Sequence, residues 1–160
     1  MFDAIYIANY FVNLGILKDA PVTHMKLQKM LYFANGLHLA LTDNPLLKEE
    51  VEAWQYGPVV SSVYQRFKEW GSRPITSPQP SGNIEPDKQT LDVLGAVWDI
   101  TKDIDPIKLA NWTHLENSPW YTAFKKAGCT TNCNAPIDNE LTKKYFTETF
   151  GVHAGAETMS

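Results

Sequence analysis

A long apolar segment with helical spacing, residues 24–41, constrains the fold of this chain more than any other feature. Thr23 before it is a typical N-cap, and the turn-forming residues 43–45 end it. Residues 31–41 carry no charged side chain, so we expect a helix that is buried on most sides. Lys26 and Lys29 point away from its apolar stripe, which consists of Leu27, Met30, Leu31, Ala34, His38 and Leu41.

Periodicity and capping signals predict further helices around this segment. Their approximate ranges are 2–17, 58–70, 87–102, a short helix from 106, 119–127 and 138–150. In the last of these, Leu141, Tyr145 and Phe146 are expected to point inward. Alternation within residues 46–56 indicates one short strand, and Gly57-Pro58 is interpreted as a sharp turn that starts the next helix.

One segment, residues 71–86, is predicted to be a loop because nine of its sixteen residues are Gly, Pro or Ser. At that length it is either a mobile insertion or a binding loop. The predicted fold is mainly α: a compact single domain of six or seven helices with at most a small β element. We expect residues 1–150 to form this domain and residues 151–160 to form a flexible tail.

Composition excludes several function classes. The chain has 160 residues and a formal net charge of −4, so it lacks the basic excess typical of a nucleic-acid clamp. No apolar stretch near the start is long enough for a membrane helix, and no basic residue precedes one as in a secretory signal. We therefore expect a cytoplasmic protein that binds neither membrane nor nucleic acid. Its two cysteines, Cys129 and Cys133, are expected to be reduced and incidental.

No motif for catalysis or metal binding stands out. The spacing of Cys129 and Cys133, with His114 and His153 as distant single ligands, is weak support for zinc. No nucleophile elbow, phosphate loop or HExxH motif is present. His38 is interpreted as a hydrogen-bonded core histidine. We predict no catalytic residue, no metal and no cofactor, and hence no enzyme.

The aromatic residues are the more unusual feature. Several cluster around predicted turns and helix starts: Trp54, Tyr56, Tyr64, Trp70, Trp112 and Trp120. They either pack in the core or anchor a protein interface, since Trp and Tyr dominate both settings. Their positions in the sequence leave both readings open.

Three motifs in order resemble the Panacea domain family. Residues 26–40 read KLQKMLYFANGLHLA and resemble that family's KLQKLLYFAQGWHLA signature. Residues 52–64 contain EAWQYGPVV followed by Val63-Tyr64, similar to its EAWxYGPVxxxVY element. Leu109, Thr113-His114 and Pro119-Trp120 follow its LxxxTHxxxxPW pattern. The resemblance extends over most of residues 3–150.

This resemblance implies an antitoxin, a protein that binds and neutralises a toxin encoded beside it. The family comprises SocA-like and GepA-like proteins of bacteria, prophages and mobile elements. One of its branches delivers toxins to an AAA+ protease as a proteolytic adaptor, so such a protease is a second candidate partner. Some members carry an additional DNA-binding domain, which is not expected in this chain. Leu37 stands where the family often has Trp, and that departure weakens any transfer of a particular toxin specificity.

An antitoxin needs a surface that buries part of its toxin, with aromatic anchors and a polar rim. We place that surface at residues drawn from the second and third motifs: Trp54, Tyr56, Gly57, Pro58, Tyr64, His114 and Trp120. The Gly-Pro turn and the Ser-Pro-Trp helix start also have structural reasons to be present. Two alternatives stay open, a phage or mobile-element protein that blocks a host factor, and a small-ligand binder or enzyme that uses His114.

Overall fold

Seven α-helices and a small sheet form the part of the chain that the structure, a computed structural model, describes: residues 1–82, 85–128 and 134–151. The helices are α1 (Ala4–Leu17), α2 (His24–Thr42), α3 (Ser61–Phe67), α4 (Lys88–Thr101), α5 (Pro106–Thr113), α6 (Pro119–Lys126) and α7 (Asn139–Phe150). The strands are β1 (Glu52–Trp54), β2 (Gly57–Val59) and β3 (Ala135–Pro136). The mainly α prediction is confirmed.

Helix α2 is the centre of the molecule. The Thr23 hydroxyl accepts a hydrogen bond from the Lys26 backbone amide at 3.2 Å, as expected of an N-cap. Asp43 ends the helix in the left-handed conformation, with φ 66°. Helices α1, α3, α4, α5 and α7 and strand β2 all pack on α2. The predicted burial of α2 on most sides is therefore confirmed.

His38 is half-buried near the end of α2 and is hydrogen-bonded, as predicted. Its Nδ1 lies 2.7 Å from the carbonyl oxygen of Asn44 and 3.2 Å from the hydroxyl of Thr42. Burial lowers the pKa of His38, and the Asn44 carbonyl partly opposes this. The side chain therefore fastens the turn that follows α2.

The interpretation of Gly57-Pro58 as a helix start is wrong. Both residues belong to β2, which pairs antiparallel with β1 so that Pro58 faces Ala53 and Gly57 faces Trp54. Strand β2 lies at the edge of the sheet, whose order is β2-β1-β3, and an edge strand tolerates proline. Helix α3 begins three residues later, at Ser61.

The loop 71–86 is attached to the body of the protein at several points. Ile75 is fully buried, and its backbone amide donates to the carbonyl of Val22 at 2.8 Å. Asn13 of α1 exchanges two hydrogen bonds with the backbone of Gln79, at 2.9 and 2.8 Å. These contacts fix the position of the described part of the loop relative to α1.

Aromatic side chains from α2, α5 and α7 form one packed group, which we call the closed aromatic cluster. It consists of Tyr32, Phe33, Trp112, Tyr145, Phe146 and Phe150. Phe146 is fully buried at its centre, with ring centroids 5.4 Å from Tyr32 and 5.6 Å from Phe33. A Cβ at Gly36 would overlap the Phe146 ring, so this glycine lets α7 approach α2 closely. Leu141, expected to point inward, is exposed instead.

Candidate functional site

A cleft of about 430 Å³ opens between the N-terminal half of α2, the hairpin formed by β1 and β2, and α3. We call it the α2–hairpin cleft. Its aromatic lining comes from the hairpin and α3, and most of its polar lining comes from α2. The lining residues are His24, Met25, Gln28, Lys29, Trp54, Gln55, Tyr56, Val59, Tyr64, Lys68 and Gly71.

Three of the aromatic residues predicted to bind a partner lie together in this cleft. The rings of Trp54 and Tyr64 contact each other with centroids 4.9 Å apart. The Trp54 indole nitrogen donates to a carboxylate oxygen of Glu52 at 2.8 Å, which fixes the ring. Tyr56 lies in the hairpin turn and is 75% exposed, and Tyr64 is 36% exposed. The mouth of the cleft thus presents aromatic surface to solvent.

The other four predicted residues do not line the cleft. Gly57 and Pro58 are buried in β2, and Trp120 is buried at the start of α6. The Trp120 indole nitrogen donates to the carbonyl of Trp54 at 2.6 Å, and its ring centroid is 4.1 Å from that of His114. These residues hold the hairpin against α6 and so position the cleft wall from behind.

His114 ends α5 and has a structural partner for one ring nitrogen. Its Nδ1 lies 2.6 Å from the carbonyl of Ala110, so Nδ1 carries the proton and donates. Trp120 covers one side of the ring. This arrangement orients the imidazole as a C-terminal cap of α5, and the residue that faces it across the hairpin is Gly57.

Gln28 ties the floor of the cleft to the start of α3. Its side-chain oxygen accepts from the backbone amide of Val60 at 2.9 Å, and its nitrogen donates toward the Val60 carbonyl at 3.4 Å. The same nitrogen lies 3.1 Å from Nε2 of His24, which must therefore accept. Burial, and secondly the charge of Lys29, lower the pKa of His24, so a neutral imidazole fits this contact.

Lys29 is the most unusual residue of the site. It is only 3% exposed, yet its side chain lines the cleft. Burial lowers the pKa of its ammonium group from 10.5 to about 8. Gly57 packs directly over the end of this side chain, because a Cβ there would lie 2.8 Å from the Lys29 Nζ. Gly57 has φ +126°, which side chains rarely adopt, so glycine serves both the hairpin turn and the space for the ammonium.

A comparison with known protein families assigns the chain to one of them. The profile of the family described as "Antitoxin SocA-like, Panacea domain" matches residues 27–121, more than half of the chain. The chain belongs to this family. The matched range begins within α2 and ends within α6, so this Panacea domain includes the hairpin, α3 and most of the cleft floor.

A curated relative supports the same relationship. The chain is 38% identical over 73 residues to the protein named Antitoxin SocA of Caulobacter vibrioides (strain NA1000 / CB15N). The alignment covers 46% of this chain and 39% of the Caulobacter protein, so the shared part is less than half of that relative. No solved structure gives a significant match to this Panacea domain.

Within the described residues of this Panacea domain and its flanks, no group of three or more His, Cys, Asp or Glu side chains is arranged to hold a metal ion. Four residues were weighed as zinc ligands in the sequence. Cys129, Cys133 and His153 lie outside the described ranges, and His114 lies within them. Among the described helices, none has an apolar stretch with the length needed to cross a bilayer. The expected tail, residues 151–160, lies outside the described ranges beyond Gly151.

Sequence reasoning missed the α2 side of the site. His24, Gln28 and Lys29 were not predicted to bind anything, although they supply the polar floor of the cleft. One signal was available: Lys29 is a charged residue in the helix predicted to be buried on most sides. Its inward position depends on the hairpin packing over it, which the local pattern of α2 does not contain.

Proposed function

We propose that this chain is an antitoxin that neutralises a toxin encoded beside it by binding the toxin directly through the α2–hairpin cleft. Membership of the antitoxin SocA-like family supports the antitoxin role. The name of the Caulobacter relative is in line with it. The observation that carries the location is the exposed aromatic mouth of the cleft, formed by Tyr56 and Tyr64 beside Trp54.

The physics of interfaces favours this surface. Tyr and Trp supply large contact areas at a small cost in conformational entropy, and they are enriched at binding hot spots. Tyr56 leaves most of its ring in solvent, where it contributes little to folding. Lys68 at the rim and Gln28 at the floor add polar groups around the aromatic centre. This combination suits a protein partner better than a small rigid ligand.

The seven residues predicted from the motifs take two roles in this proposal. Trp54, Tyr56 and Tyr64 contact the toxin. A second set keeps the hairpin in the orientation that presents those three rings, namely Gly57, Pro58, His114 and Trp120. Substitution of the exposed Tyr56 and Tyr64 should therefore reduce binding with little loss of stability, whereas substitutions in the second set should reduce both.

Co-expression tests this proposal. The adjacent open reading frame is expressed alone and together with this chain, and growth is followed. We expect growth arrest that the wild-type chain relieves and that a Tyr56→Ala, Tyr64→Ala double variant relieves poorly. Ile107→Ala, Leu91→Ala is the matched control, because it removes two exposed hydrophobic side chains from α5 and α4, away from the cleft.

Thermal melting of each purified variant completes that experiment. If the double variant melts like the wild type and still rescues growth, the toxin binds elsewhere on the chain. A neighbouring gene whose product is harmless would contradict the antitoxin role itself, and a growth effect reached through a host factor would favour the alternative of a host-directed interaction protein.

Two modes of neutralisation fit a direct contact: covering the toxin's active site, or delivering the toxin to an AAA+ protease. We propose the first, because a cleft with aromatic anchors is sufficient for a stable complex. Immunoblots of the toxin during rescue distinguish the modes. Occlusion predicts an unchanged toxin level, whereas delivery predicts a fall in that level that depends on the protease.

An enzyme or ligand binder that uses His114 draws less support from the geometry. The Nδ1 of His114 already donates to the Ala110 carbonyl, and Trp120 covers its ring. A general acid or base needs a ring nitrogen within reach of its substrate. Rescue by a stable His114→Gln variant would separate the two functions, since the antitoxin proposal gives this ring no chemical step.

A further inference from the structure

Lys29 is buried without a counter-charge. Among the described residues its ammonium has no hydrogen-bond or ion-pair partner, and the residue is only 3% exposed. The exposed part opens on the cleft, since the Lys29 Nζ is not among the fully enclosed atoms that lack a partner. Burying an ionised group that has no partner is costly, and proteins normally pair such groups. The Lys29 ammonium at the floor of an open cleft is therefore a binding group for which the folded chain supplies no partner among its described residues.

The neighbouring polar residues of α2 behave differently. Lys26, three residues earlier, donates from Nζ to the carbonyl of Lys102 at 2.8 Å. Burial lowers the pKa of Lys26, and the charges of Asp103 and Asp105 partly oppose this shift. The Oδ1 atom of Asn35 accepts hydrogen bonds from the backbone amides of residues 46 and 47, at 2.9 and 3.2 Å. Lys29, by contrast, fastens no loop. The buried hydroxyl of Tyr32 in the same helix also has no hydrogen-bond partner among the described residues, but it is enclosed in the closed aromatic cluster, whereas Lys29 lines an open cleft.

The charges around the cleft specify the missing partner. Of the described residues that line it, none is Asp or Glu. His24 is suited to the neutral form, and the ammonium of Lys68 at the rim already donates to the Gln65 side chain at 3.0 Å. The floor therefore carries a single buried positive charge, which one carboxylate neutralises. A phosphate, with close to two negative charges, would lack a second buried cation.

We infer that the Lys29 ammonium receives a carboxylate of the toxin, from an Asp or Glu side chain or the chain end, at the floor of the α2–hairpin cleft. This inference rests on the proposed function and adds the chemistry of the contact. The toxin segment brings its carboxylate to Lys29 beside Gln28, both of which line the cleft, while Trp54 and Tyr64 pack on its apolar part. Charge-assisted hydrogen bonds between such groups are shorter and stronger than neutral ones.

A titration experiment tests this pairing. The purified product of the adjacent open reading frame is titrated into the wild-type chain, Lys29→Met and Lys26→Met, and the dissociation constants are measured by calorimetry. Lys29→Met keeps the length and apolar stem of the side chain and removes its charge. Lys26→Met removes the same charge from the same helix outside the cleft. We expect at least tenfold weaker binding for Lys29→Met and less than twofold change for Lys26→Met.

Melting temperatures exclude a trivial loss of structure. Lys29→Met should melt at or above the wild-type temperature, because it removes an unpaired buried charge. On the toxin side, each Asp→Asn, each Glu→Gln and an amidated chain end are combined with Lys29→Met. One of these changes should weaken binding to the wild type tenfold and have less than a twofold effect on Lys29→Met.

The outcomes separate the inference from the proposed function. If Lys29→Met binds as tightly as the wild type while Tyr56→Ala, Tyr64→Ala binds weakly, the carboxylate pairing is overturned and the antitoxin cleft stands. If no toxin carboxylate couples to Lys29, the pairing is likewise overturned. If the wild-type chain does not bind the adjacent gene product, both fall together.

Discussion

Two groups of aromatic side chains pack against α2, and they differ in how much of their surface they leave open to solvent. In the closed aromatic cluster, Phe146 has no exposed surface, and rings from three helices surround it. In the α2–hairpin cleft, Trp54 and Tyr64 contact each other, but Tyr56 extends into solvent and Lys29 lies buried below without a partner among the described residues. The first group is enclosed by the chain itself, although the buried Tyr32 hydroxyl has no hydrogen-bond partner among the described residues, whereas the second group presents a ring and an ammonium to an open cleft.

This difference separates stability from binding within one helix. Residues of α2 that contact α7 contribute to folding through packing, which is lost when a ring is removed. Residues of α2 that face the hairpin include an uncompensated charge that reduces stability. Proteins retain such locally unfavourable groups mainly at functional sites. The comparison predicts that removal of the Phe146 ring and removal of the Lys29 charge have opposite signs on stability.

The largest effect is expected at the centre of the closed aromatic cluster. Phe146→Ala should reduce the free energy of unfolding by roughly 3–5 kcal/mol, because it removes a fully buried ring and leaves a cavity. Urea unfolding followed by circular dichroism measures this loss. Leu141→Ala on the exposed side of α7 is the matched control and should cost less than about 1 kcal/mol. Equal losses at the two positions would contradict the central role of Phe146.

Lys29→Met should have the opposite sign. A pKa lowered from 10.5 to about 8 corresponds to roughly 3 kcal/mol of unfavourable free energy for the charged form in the folded state. At pH 7 the variant should therefore be more stable than the wild type by up to about 3 kcal/mol. Lys108→Met, at an exposed position of α5, should change stability by less than about 0.5 kcal/mol.

The same pKa shift predicts a pH dependence with a definite sign. Between pH 8 and 10.5 the unfolded chain keeps the Lys29 proton that the folded chain has released, so stability rises with pH. Relative to Lys29→Met, the wild type should gain about 2 kcal/mol between pH 7 and 9.5. Above pH 10 the raised pKa of buried Tyr32 lowers the stability of both proteins alike, so it leaves the difference between them unchanged. If the difference in the free energy of unfolding between the two proteins stays constant with pH, burial does not lower the pKa of Lys29.

An intermediate effect is expected where the hairpin meets Lys29. Gly57→Ala forces a side chain into a conformation with φ +126° and against the Lys29 Nζ, so it should cost about 1–3 kcal/mol. Gly95→Ala is the control, because its added methyl group in α4 meets nothing within 4 Å and should stabilise the helix by about 0.5–1 kcal/mol. Urea midpoints measure both changes, and a neutral Gly57→Ala would mean that the hairpin adapts.

The smallest effect on stability is expected at the mouth of the cleft. Tyr56→Ala removes a ring that is 75% exposed, so the free energy of unfolding should change by less than about 0.5 kcal/mol. Differential scanning calorimetry is sensitive enough to detect a larger loss. A loss above 1 kcal/mol would place Tyr56 with the residues that hold the fold and would blur the contrast between the two aromatic groups.

Patterns local to the sequence predicted much of this fold. Capping residues predict where five helices start, namely α2, α4, α5, α6 and α7. At each start the side chain of the N-cap residue accepts a backbone hydrogen bond; these residues are Thr23, Asp87, Asp105, Ser118 and Asp138. The same local rules failed at Pro58, because a proline at a helix start and a proline in an edge strand have the same signature in sequence.

The candidate site was predictable only in part. The motif around Trp54 and Tyr56 directed attention to the hairpin, but it did not separate the residues that line the cleft from Gly57, Pro58 and Trp120 behind it. The inward position of Lys29 was not predicted, because its burial arises from contacts between α2 and residues about thirty positions later in the chain. Such long-range packing leaves no periodic trace in the sequence.

The Trp54 indole gives the protein an internal optical reporter, and the hydrogen bond from the Trp120 indole to the Trp54 carbonyl holds this residue in place. Trp54 borders the cleft, whereas Trp120 is sealed behind it, and the chain contains five tryptophans in all. A partner that fills the cleft exchanges the water beside the Trp54 indole for protein, which should shift its emission to shorter wavelength. Trp54→Phe should abolish that shift, so occupancy of the cleft can be followed in real time without any attached dye.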